Sequence, residues 1–321
     1  MPDAPQLLLP LPFPIHEIAQ GWVLHEEQMG SKDKHWVDLP GDDQPWLFKL
    51  SRESAETVTG EHWAEKVAAE VAELLGVPHA RVELAKLDGK WGAICRRFDE
   101  LGPTSLELSR TELVHGNDLL AGHVMGYDPT KKIKQSDHTL GNILSAVDAL
   151  FDRGAKRDLA LKTLAGFLIL DGLILNTDRH HENWGMLRLT TQRGVLHSVA
   201  PSFDHASSLG RNEPVERVTA WLEDRTMDRA AWYATRSACR GGVYEQNNQP
   251  HGANPLTLVI GAAQQWPRFF EDWKPSLVAL TPGQIQDVLD RVPEDAMAQS
   301  SKRFALALMT YTLGRLQNSL L

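Results

Sequence analysis

The sequence predicts an α+β fold divided into two lobes, a small β-rich lobe with one helix and a larger, mostly helical lobe. Runs of strand-like composition concentrate in residues 1–100, whereas helical periodicity dominates residues 101–321. The chain of 321 residues is also longer than one ordinary domain of about 150 residues. We therefore place the division between the lobes near residue 100.

Two predicted strand pairs occupy most of the first lobe. Residues 34–39 and 45–50 are short aromatic and apolar runs that flank a Gly-Asp-Asp turn. Residues 82–87 and 90–97 flank Asp88-Gly89, a dipeptide that favours a tight hairpin. These four segments predict the sheet of the first lobe.

A helix is predicted between the two pairs, over residues 60–75. Its apolar residues recur at helical spacing: Trp63, Val67, Val71 and Leu74. Gly76, followed by Val-Pro, is a typical helix end. The first lobe is thus predicted as a sheet with one helix packed on it.

Helices dominate the second lobe, with one exception. Helical patterns cover residues 140–151, 158–175, 281–289 and 296–320. A further strand pair is predicted at residues 184–189 and 194–199. Residues 236–254, rich in Gly, Asn and Gln, are predicted as a long surface loop.

The composition indicates a globular protein, because 42% of the residues are hydrophobic and 23% are charged. A net charge of -9 argues against a general nucleic-acid binder, so no direct nucleic-acid binding is expected. Cys95 and Cys239 are too few for a disulfide framework and favour a reducing compartment. No apolar run is long enough for a membrane span, and residues 1–15 are predicted as an extended arm. We expect a cytoplasmic protein or one delivered as an effector.

Three polar residues follow the most apolar predicted helix. Asp178 and Asn183 lie five positions apart in one loop, and Asp204 comes after the next strand pair. In phosphoryl transfer one carboxylate orients the acceptor hydroxyl, while an amide oxygen and a second carboxylate hold Mg2+. The set therefore predicts a site for ATP and Mg2+. The alternative is that Asp178 only caps a turn and Asn183 only pins the hairpin.

The same chemistry needs a cation for the ATP phosphates in the first lobe. Lys49 lies between apolar neighbours in its predicted strand, and Glu61 and Glu65 lie on the following helix. Ahead of the first strand pair, a polar loop could close over phosphates with its backbone N–H groups and lysines. The residues predicted for this role are Gly30, Ser31, Lys32 and Lys34.

The strings GSKDK, LFK, ELLGV, RRFDE, NTDRHHENWG and APSFDHASS, in this order, resemble the HipA-type serine/threonine kinases, which are distantly similar to phosphatidylinositol kinases. The pattern Asn-x-Asp-Arg-His-x-x-Asn-x-Gly is complete from Asn176 to Gly185. The resemblance covers about Gln28 to Ser208. It implies a two-lobed protein-kinase-like fold and transfer of the ATP γ-phosphate to Ser or Thr of a protein.

The resemblance also implies residue roles in the second lobe. Asp178 is expected to be the catalytic carboxylate, and Asn183 and Asp204 are expected to be the Mg2+ ligands. His180 is expected to orient the catalytic loop through hydrogen bonds. Two differences from eukaryotic kinases fit this family better: no His-Arg precedes Asp178, and residues 203–205 lack the glycine of D-F-G.

In the first lobe, Lys49 is expected to bind the ATP phosphates, with Glu65 as its partner. Backbone groups near Arg97 and Phe98, at the link between the lobes, are expected to bind the adenine edge. The family commonly has an acidic residue where this chain has Arg96, which leaves side-chain contacts to adenine undefined. The nearby Cys95 is expected to report on ATP through its reactivity.

Longer family members carry an extra N-terminal domain that binds a DNA-binding antitoxin. The phosphate loop here begins near residue 28, which leaves no room for that domain, so the chain resembles the short members and an antitoxin partner is not assumed. The expected partner is a protein substrate. Ser31 is a candidate autophosphorylation site whose phosphate would repel those of ATP; the alternative is a small loop residue without that role.

Three other functions are weighed against this one. A zinc hydrolase is suggested by nearby histidines, but the H-E-x-x-H spacing is missing and His181 is expected to be exposed. A small-molecule or lipid phosphotransferase would use the same Asp, Asn and Asp, and residues 204–240 hold equal numbers of arginines and acids, which favours neither acceptor. The third is a nucleotide-binding pseudokinase scaffold, against which the complete set of catalytic residues argues.

Overall fold

The computed structural model describes residues 11–26, 34–53, 58–99, 110–131 and 133–321. Within these ranges a six-stranded sheet forms the first lobe, in the order β1-β5-β6-β4-β3-β2. Its strands are β1 (Ile15–Ile18), β2 (Val23–Glu26), β3 (Lys34–Val37), β4 (Trp46–Leu50), β5 (Val82–Leu87) and β6 (Lys90–Arg96). One helix, α1 (Glu61–Leu75), packs against β5 and β6.

Both predicted strand pairs of the first lobe are present. β3 and β4 pair antiparallel, and so do β5 and β6. Asp88 and Gly89 take positive φ angles of 51° and 74°, which the tight hairpin between β5 and β6 requires. The local turn signals therefore predicted the right pairing.

Helix α1 ends where the sequence predicts, since Gly76 takes a left-handed φ of 73° that a side chain would strain. One predicted core position is wrong. Leu74 is 36% exposed, whereas Leu75 is buried. The reason is that α1 lies between the sheet and the second lobe, so a single apolar stripe does not describe its buried surface.

The N-terminal segment is more than an extended arm. β1 pairs in parallel with β5, from Ile15 opposite Leu84 to Ile18 opposite Leu87. A parallel partner far along the chain leaves no turn signal in the sequence, so only extended backbone was predictable. Residues 1–10 lie outside the described residues.

The second lobe combines helices with a three-stranded sheet in the order β7-β8-β9. Its strands are β7 (Arg110–His115), β8 (Gly185–Thr191) and β9 (Gly194–Val199). Its helices are α2 (Gly116–His123), α3 (Leu140–Asp148), α4 (Ala155–Ile174), α5 (Val215–Glu223), α6 (Arg229–Thr235), α7 (Pro255–Gln265), α8 (Lys274–Ala279), α9 (Pro282–Asp290) and α10 (Gln299–Leu320). The four predicted helices and the strand pair are present; β7, a polar strand, is the element that the sequence does not reveal.

A continuous apolar core joins the lobes. Trp63 and Val67 of α1 belong to the same buried cluster as Leu170 of α4 and Phe304 of α10. The predicted division near residue 100 falls within residues 100–109, outside the described part of the chain, and stays a prediction. Along the described residues, no helix has both the length and the apolar character needed to cross a bilayer.

The segment 236–254 differs from its prediction as a surface loop. Cys239 and Tyr244 within it are buried. A Cβ added at Gly242 would lie 2.7 Å from the backbone nitrogen of His180, so the two backbones are in close contact. Part of this segment therefore packs on the loop that carries the predicted catalytic residues, an environment that its polar composition conceals.

His62 ties α1 to the second lobe. Its buried imidazole stacks on Trp91 with ring centroids 4.8 Å apart. Nε2 lies 3.0 Å from the carbonyl oxygen of Ala296, to which it donates, and Nδ1 lies 2.9 Å from Ser51 Oγ. Burial lowers the pKa of His62 to about 4, because the charged ring would lose its hydration there.

We expect this histidine to make folding sensitive to acid. Between pH 6.5 and 4 the unfolded chain binds a proton at His62 that the folded protein excludes, so the free energy of unfolding falls as the pH is lowered. For His62 alone the loss at pH 5 is about 2 kcal/mol. Urea denaturation of the wild type and of His62→Gln at pH 7.5 and pH 5 measures it, and the variant should lose less stability on acidification.

The matched control is His251→Gln, since His251 is exposed. Its stability should depend on pH as that of the wild type does. An equal acid loss in His62→Gln and in the wild type would contradict the prediction.

Candidate active site

The loop with the predicted catalytic residues begins at the end of α4. Leu175, the residue after the helix, takes a left-handed φ of 53°, and its N–H donates to the carbonyl of Asp171. Asn176 donates to the same residue twice, from its N–H to the carbonyl at 2.9 Å and from Nδ2 to Oδ1 at 2.8 Å. The last turn of α4 thus sets the direction in which the loop leaves the helix.

Arg179 connects this loop to α4 and to the segment after β9. Its Nε and Nη2 donate to the two carboxylate oxygens of Asp171 at 2.8 and 2.7 Å. Nη1 donates to the carbonyls of Asn183 at 2.7 Å and Phe203 at 3.3 Å, and Nη2 also donates to Ser202 Oγ at 2.9 Å. Both charged side chains are 6% exposed. Such a buried pair persists because its hydrogen bonds are satisfied.

Backbone contacts orient Asp178 and Asn183. The N–H of Asp178 donates to Asn176 Oδ1 at 3.1 Å, and Nδ2 of Asn183 donates to the Asp178 carbonyl at 2.7 Å. Because the amide nitrogen of Asn183 is used in this way, its Oδ1 points to the opposite side of the amide group. That oxygen is the atom that a metal ion would bind.

Asp204 meets Lys49 across the lobes. Asp204 Oδ2 lies 3.4 Å from Lys49 Nζ, and the two side chains are 21% and 11% exposed. Burial alone would lower the pKa of Lys49, but the carboxylates of Asp204 and Glu65 outweigh it and raise that pKa above its usual value. The structure thus brings together residues from β4 and from the segment after β9 that the sequence assigns to one site.

Glu65 lies beside this pair but holds a different group. Its Oε1 accepts a hydrogen bond from the N–H of His205 at 2.9 Å. Its Oε2 is buried without a hydrogen-bond partner among the described residues. Burial raises the pKa of Glu65, but the charge of Lys49 and the His205 hydrogen bond outweigh it, so the net direction is downward. The ion-pair partner of Lys49 in this structure is therefore Asp204, where the sequence predicts Glu65.

The phosphate-binding residues are partly described. Lys34 of β3 lies directly opposite Lys49 of β4 in the sheet register. The phosphate contact of Lys34 stays a prediction, and Gly30, Ser31 and Lys32 lie outside the described residues.

The link between the lobes restricts the predicted adenine contact. The N–H of Arg97 donates to the Pro45 carbonyl at 2.9 Å, so this N–H is used within the first lobe. The Arg97 guanidinium stands 5.2 Å over the Trp36 ring. Phe98 packs with its ring centroid 5.6 Å from that of Phe203, the residue before Asp204. The remaining backbone candidates are the Arg97 carbonyl and the groups of Phe98.

Arg96 and Cys95 lie just before the link between the lobes. Arg96 donates to Asp42 at 3.0 and 2.8 Å and to Asp43 at 2.5 Å, which ties the β3–β4 turn to β6 and holds the pKa of Asp42 well below its usual value. Burial raises the pKa of Cys95 to about 12, although Lys49 opposes the shift. A raised pKa disfavours the reactive thiolate, and the expected reactivity of Cys95 stays a prediction.

His180 and His181 lie in the loop that carries Asp178, and both form hydrogen bonds there. His181 is 1% exposed, so its predicted exposure is wrong; its Nδ1 lies 2.8 Å from the Tyr127 hydroxyl. Nδ1 of His180 accepts the N–H of Glu182 at 3.2 Å, in line with an orienting role. In the described part of the chain, no group of three or more His, Cys, Asp or Glu side chains could hold a metal ion. The zinc hydrolase therefore has no structural support.

The donors around Asp204 fit Mg2+. The Asn183 amide oxygen and the Asp204 carboxylate are hard oxygen ligands, which Mg2+ prefers over imidazole or thiolate. Arg179 donates to the carbonyl of Asn183 and to that of the residue before Asp204. The backbones that carry the two candidate ligands are therefore fixed to the same guanidinium. The Lys49 ammonium beside Asp204 shows that this carboxylate already faces a cation.

The residues that support the loop of Asp178 carry little signal in the sequence. The one available signal is Asp171, a lone charge in an apolar helix, because a buried carboxylate needs a partner. Its partner, Arg179, lies in the motif between Asp178 and His180. Ser207, which contacts Asp178, and Arg211, which binds Ser207, carry no local signal.

Comparison with known proteins gives a family and similar folds for this chain. The family described as HipA-like C-terminal domain matches residues 27–266. No protein of curated function matches the chain. The proinflammatory kinase CtkA of Helicobacter pylori has a similar structure, with a TM-score of 0.68 and 17% identity over 96% of each chain. HipA of Shewanella oneidensis MR-1, solved with HipB and operator DNA, has a TM-score of 0.51 and 14% identity over 92% of this chain and 65% of that one.

The fold and the site define a two-lobed, kinase-like α+β protein, which confirms the predicted fold class. The chain belongs to the family of HipA-like C-terminal domains. At identities of 17% and 14% the two solved structures show a common fold alone. The activity must therefore be argued from the site itself.

We expect Arg179→Met to destabilise the protein by about 3–5 kcal/mol, because the substitution leaves the buried Asp171 carboxylate uncompensated. The double variant Arg179→Met/Asp171→Leu should recover part of this loss, since it removes both charges. Urea denaturation measures both.

The control is Lys162→Gln, which breaks the more exposed pair of Lys162 with Asp272 and should cost less than about 1 kcal/mol. Equal losses in Lys162→Gln and Arg179→Met would contradict the role given to the buried pair.

Proposed function

We propose that the protein is an ATP- and Mg2+-dependent kinase that transfers the γ-phosphate of ATP to a Ser or Thr hydroxyl of a protein. The observation that carries the proposal is the 3.4 Å pair between Lys49 of the first lobe and Asp204 of the second. It joins the cation needed for phosphates to a metal-binding carboxylate, beside the loop of Asp178 and Asn183. Phosphoryl transfer requires these groups in one cleft.

Each residue of the proposed site has a role that follows from its position. Asp178 orients the acceptor hydroxyl and takes its proton, as the carboxylate of the catalytic loop. Asn183 and Asp204 would hold Mg2+, which when bound neutralises charge on the phosphates. With a cation at Asp204, the Lys49 ammonium would turn toward the phosphates and toward the unpartnered Oε2 of Glu65.

Two classes of phosphate acceptor are candidates, a protein and a small molecule. CtkA, which shares the fold, is described as a kinase, which supports phosphate transfer for either class of acceptor. The segment 236–254, packed on the catalytic loop, borders a cavity of about 390 Å3 that Arg236, Arg240 and Arg315 help to line. A small-molecule phosphotransferase stays the second candidate, because it would use the same Asp178, Asn183 and Asp204.

The proposal includes autophosphorylation at Ser31 in a cytoplasmic protein. Mass spectrometry of the chain after incubation with ATP detects the modification, and Ser31→Asp with full ATP affinity would contradict a switch at this residue. An antitoxin is a second candidate partner, because HipA of Shewanella oneidensis was solved as a toxin-antitoxin system with HipB.

We expect Asp178→Asn to lower phosphate transfer by about 100-fold or more, because the amide cannot accept the hydroxyl proton. ATP affinity should change little, since Asp178 is placed on the acceptor side. Transfer from γ-labelled ATP to a lysate and to the chain itself measures the first quantity, and calorimetry measures the second.

We expect Asp204→Asn to raise the Mg2+ concentration needed for half-maximal transfer by about tenfold or more, because a charged ligand is lost. The control Asp287→Asn, an exposed position on α9, should behave as the wild type. Full activity of both Asp178→Asn and Asp204→Asn would refute the assignment, and ATP binding without transfer by the wild type would indicate a pseudokinase.

A further inference from the structure

Helix α1 presents two buried carboxylates to the second lobe. Glu61 and Glu65 are four residues apart and lie on one face of the helix, where they are 4% and 2% exposed. Glu65 holds the N–H of His205, next to the metal-site aspartate. Glu61 makes a separate contact, and that contact leads to the catalytic loop.

Glu61 binds Arg211. Oε1 of Glu61 lies 2.5 Å from Nη1 of Arg211, and the two side chains are 4% and 9% exposed. The backbone adds a second connection, because the N–H of Gly60 donates to the Arg211 carbonyl at 3.0 Å. The side chain and the backbone carbonyl of Arg211 are thus both bound to the beginning of α1. These contacts restrict the planar guanidinium to one orientation.

Arg211 in turn orients Ser207. Nη2 of Arg211 donates to Ser207 Oγ at 2.8 Å. A guanidinium only donates, so the serine oxygen accepts and its own hydrogen is available for another acceptor. That acceptor is Oδ2 of Asp178, 3.4 Å away. Bonds in an active site of this kind commonly shorten once substrates bind.

The backbone of Ser207 is fixed to the same loop. Its carbonyl accepts the N–H of Thr177 at 3.0 Å and the Thr177 hydroxyl at 3.1 Å. The serine hydroxyl therefore approaches Asp178 from an anchored backbone. The contact has the geometry of a support for the carboxylate.

We propose that Ser207 and Arg211 are positioning residues for Asp178 and that Glu61 holds them in place, so that the orientation of the catalytic carboxylate depends on the position of α1. The inference rests on the proposed phosphotransfer. If α1 moves away from the second lobe, Arg211 leaves Ser207 and the Asp178 carboxylate loses the orienting contact of the serine hydroxyl, with a loss of alignment for proton transfer. The helix thus controls the catalytic carboxylate as well as the metal side of the site.

Steady-state kinetics of Ser207→Ala test the proposal. The value of kcat should fall roughly tenfold, the effect of one lost hydrogen bond, while KM for ATP stays within about twofold. Ser207→Thr keeps the hydroxyl and should restore kcat to within about threefold of the wild type. A wild-type kcat in Ser207→Ala would overturn the proposal.

A double-mutant cycle tests whether Glu61 acts through Ser207. Glu61→Gln should lower kcat, and the double variant Glu61→Gln/Ser207→Ala should be no slower than Ser207→Ala, since both break one chain of contacts. The control is Glu73→Gln on the same helix, whose side chain is 80% exposed and which should keep the wild-type kcat. Additive losses in the double variant would overturn the link.

Amide hydrogen exchange keeps this test independent of activity. Exchange in residues 176–183 should be faster in Ser207→Ala and in Glu61→Gln than in the wild type or in Glu73→Gln. A wild type that transfers no phosphate would refute the proposed function. Unchanged exchange in both Ser207→Ala and Glu61→Gln would overturn the positioning chain, whatever the activity.

Discussion

The buried ion pair between Asp171 and Arg179 is the constraint on which the candidate site depends. A carboxylate inside an apolar helix is costly unless a cation and hydrogen bonds satisfy it, and Arg179 supplies both. The same guanidinium donates to the carbonyls of Asn183 and Phe203. Since the carboxylate cannot be left unpaired, the loop and the segment after β9 are held at one place, and the proposed metal ligands follow from it.

Helix α1 provides the second part of the arrangement. Its apolar residues share one core with α4 and α10, and His62 adds a hydrogen bond to the second lobe. The lobes are therefore packed as one body around the site in this structure. At this contact between the lobes the helix places Glu61, which pairs with Arg211, and Glu65, whose pKa is lowered by the nearby charge of Lys49. Burial makes these pairings strict, because a misplaced charge would lose its hydration without compensation.

Elements with local signals were predictable. The Asp88-Gly89 hairpin, the end of α1 at Gly76 and the apolar part of α4 depend on turn chemistry and periodicity within a few residues. The strands β1 and β7 depend on distant partners, so their sequences carried no comparable signal. For the same reason the segment 236–254 was predicted as a surface loop, although part of it packs on the loop that carries Asp178.

The sequence by itself determined the family, the two-lobed α+β class and the residue types of the site, because motif spacing and local propensity are written in short stretches of chain. Only the tertiary structure decided which charges meet: Lys49 with Asp204, Asp171 with Arg179, and Glu61 with Arg211. Partners far apart in sequence become neighbours through packing, and their energies depend on distance and burial, which no linear spacing specifies.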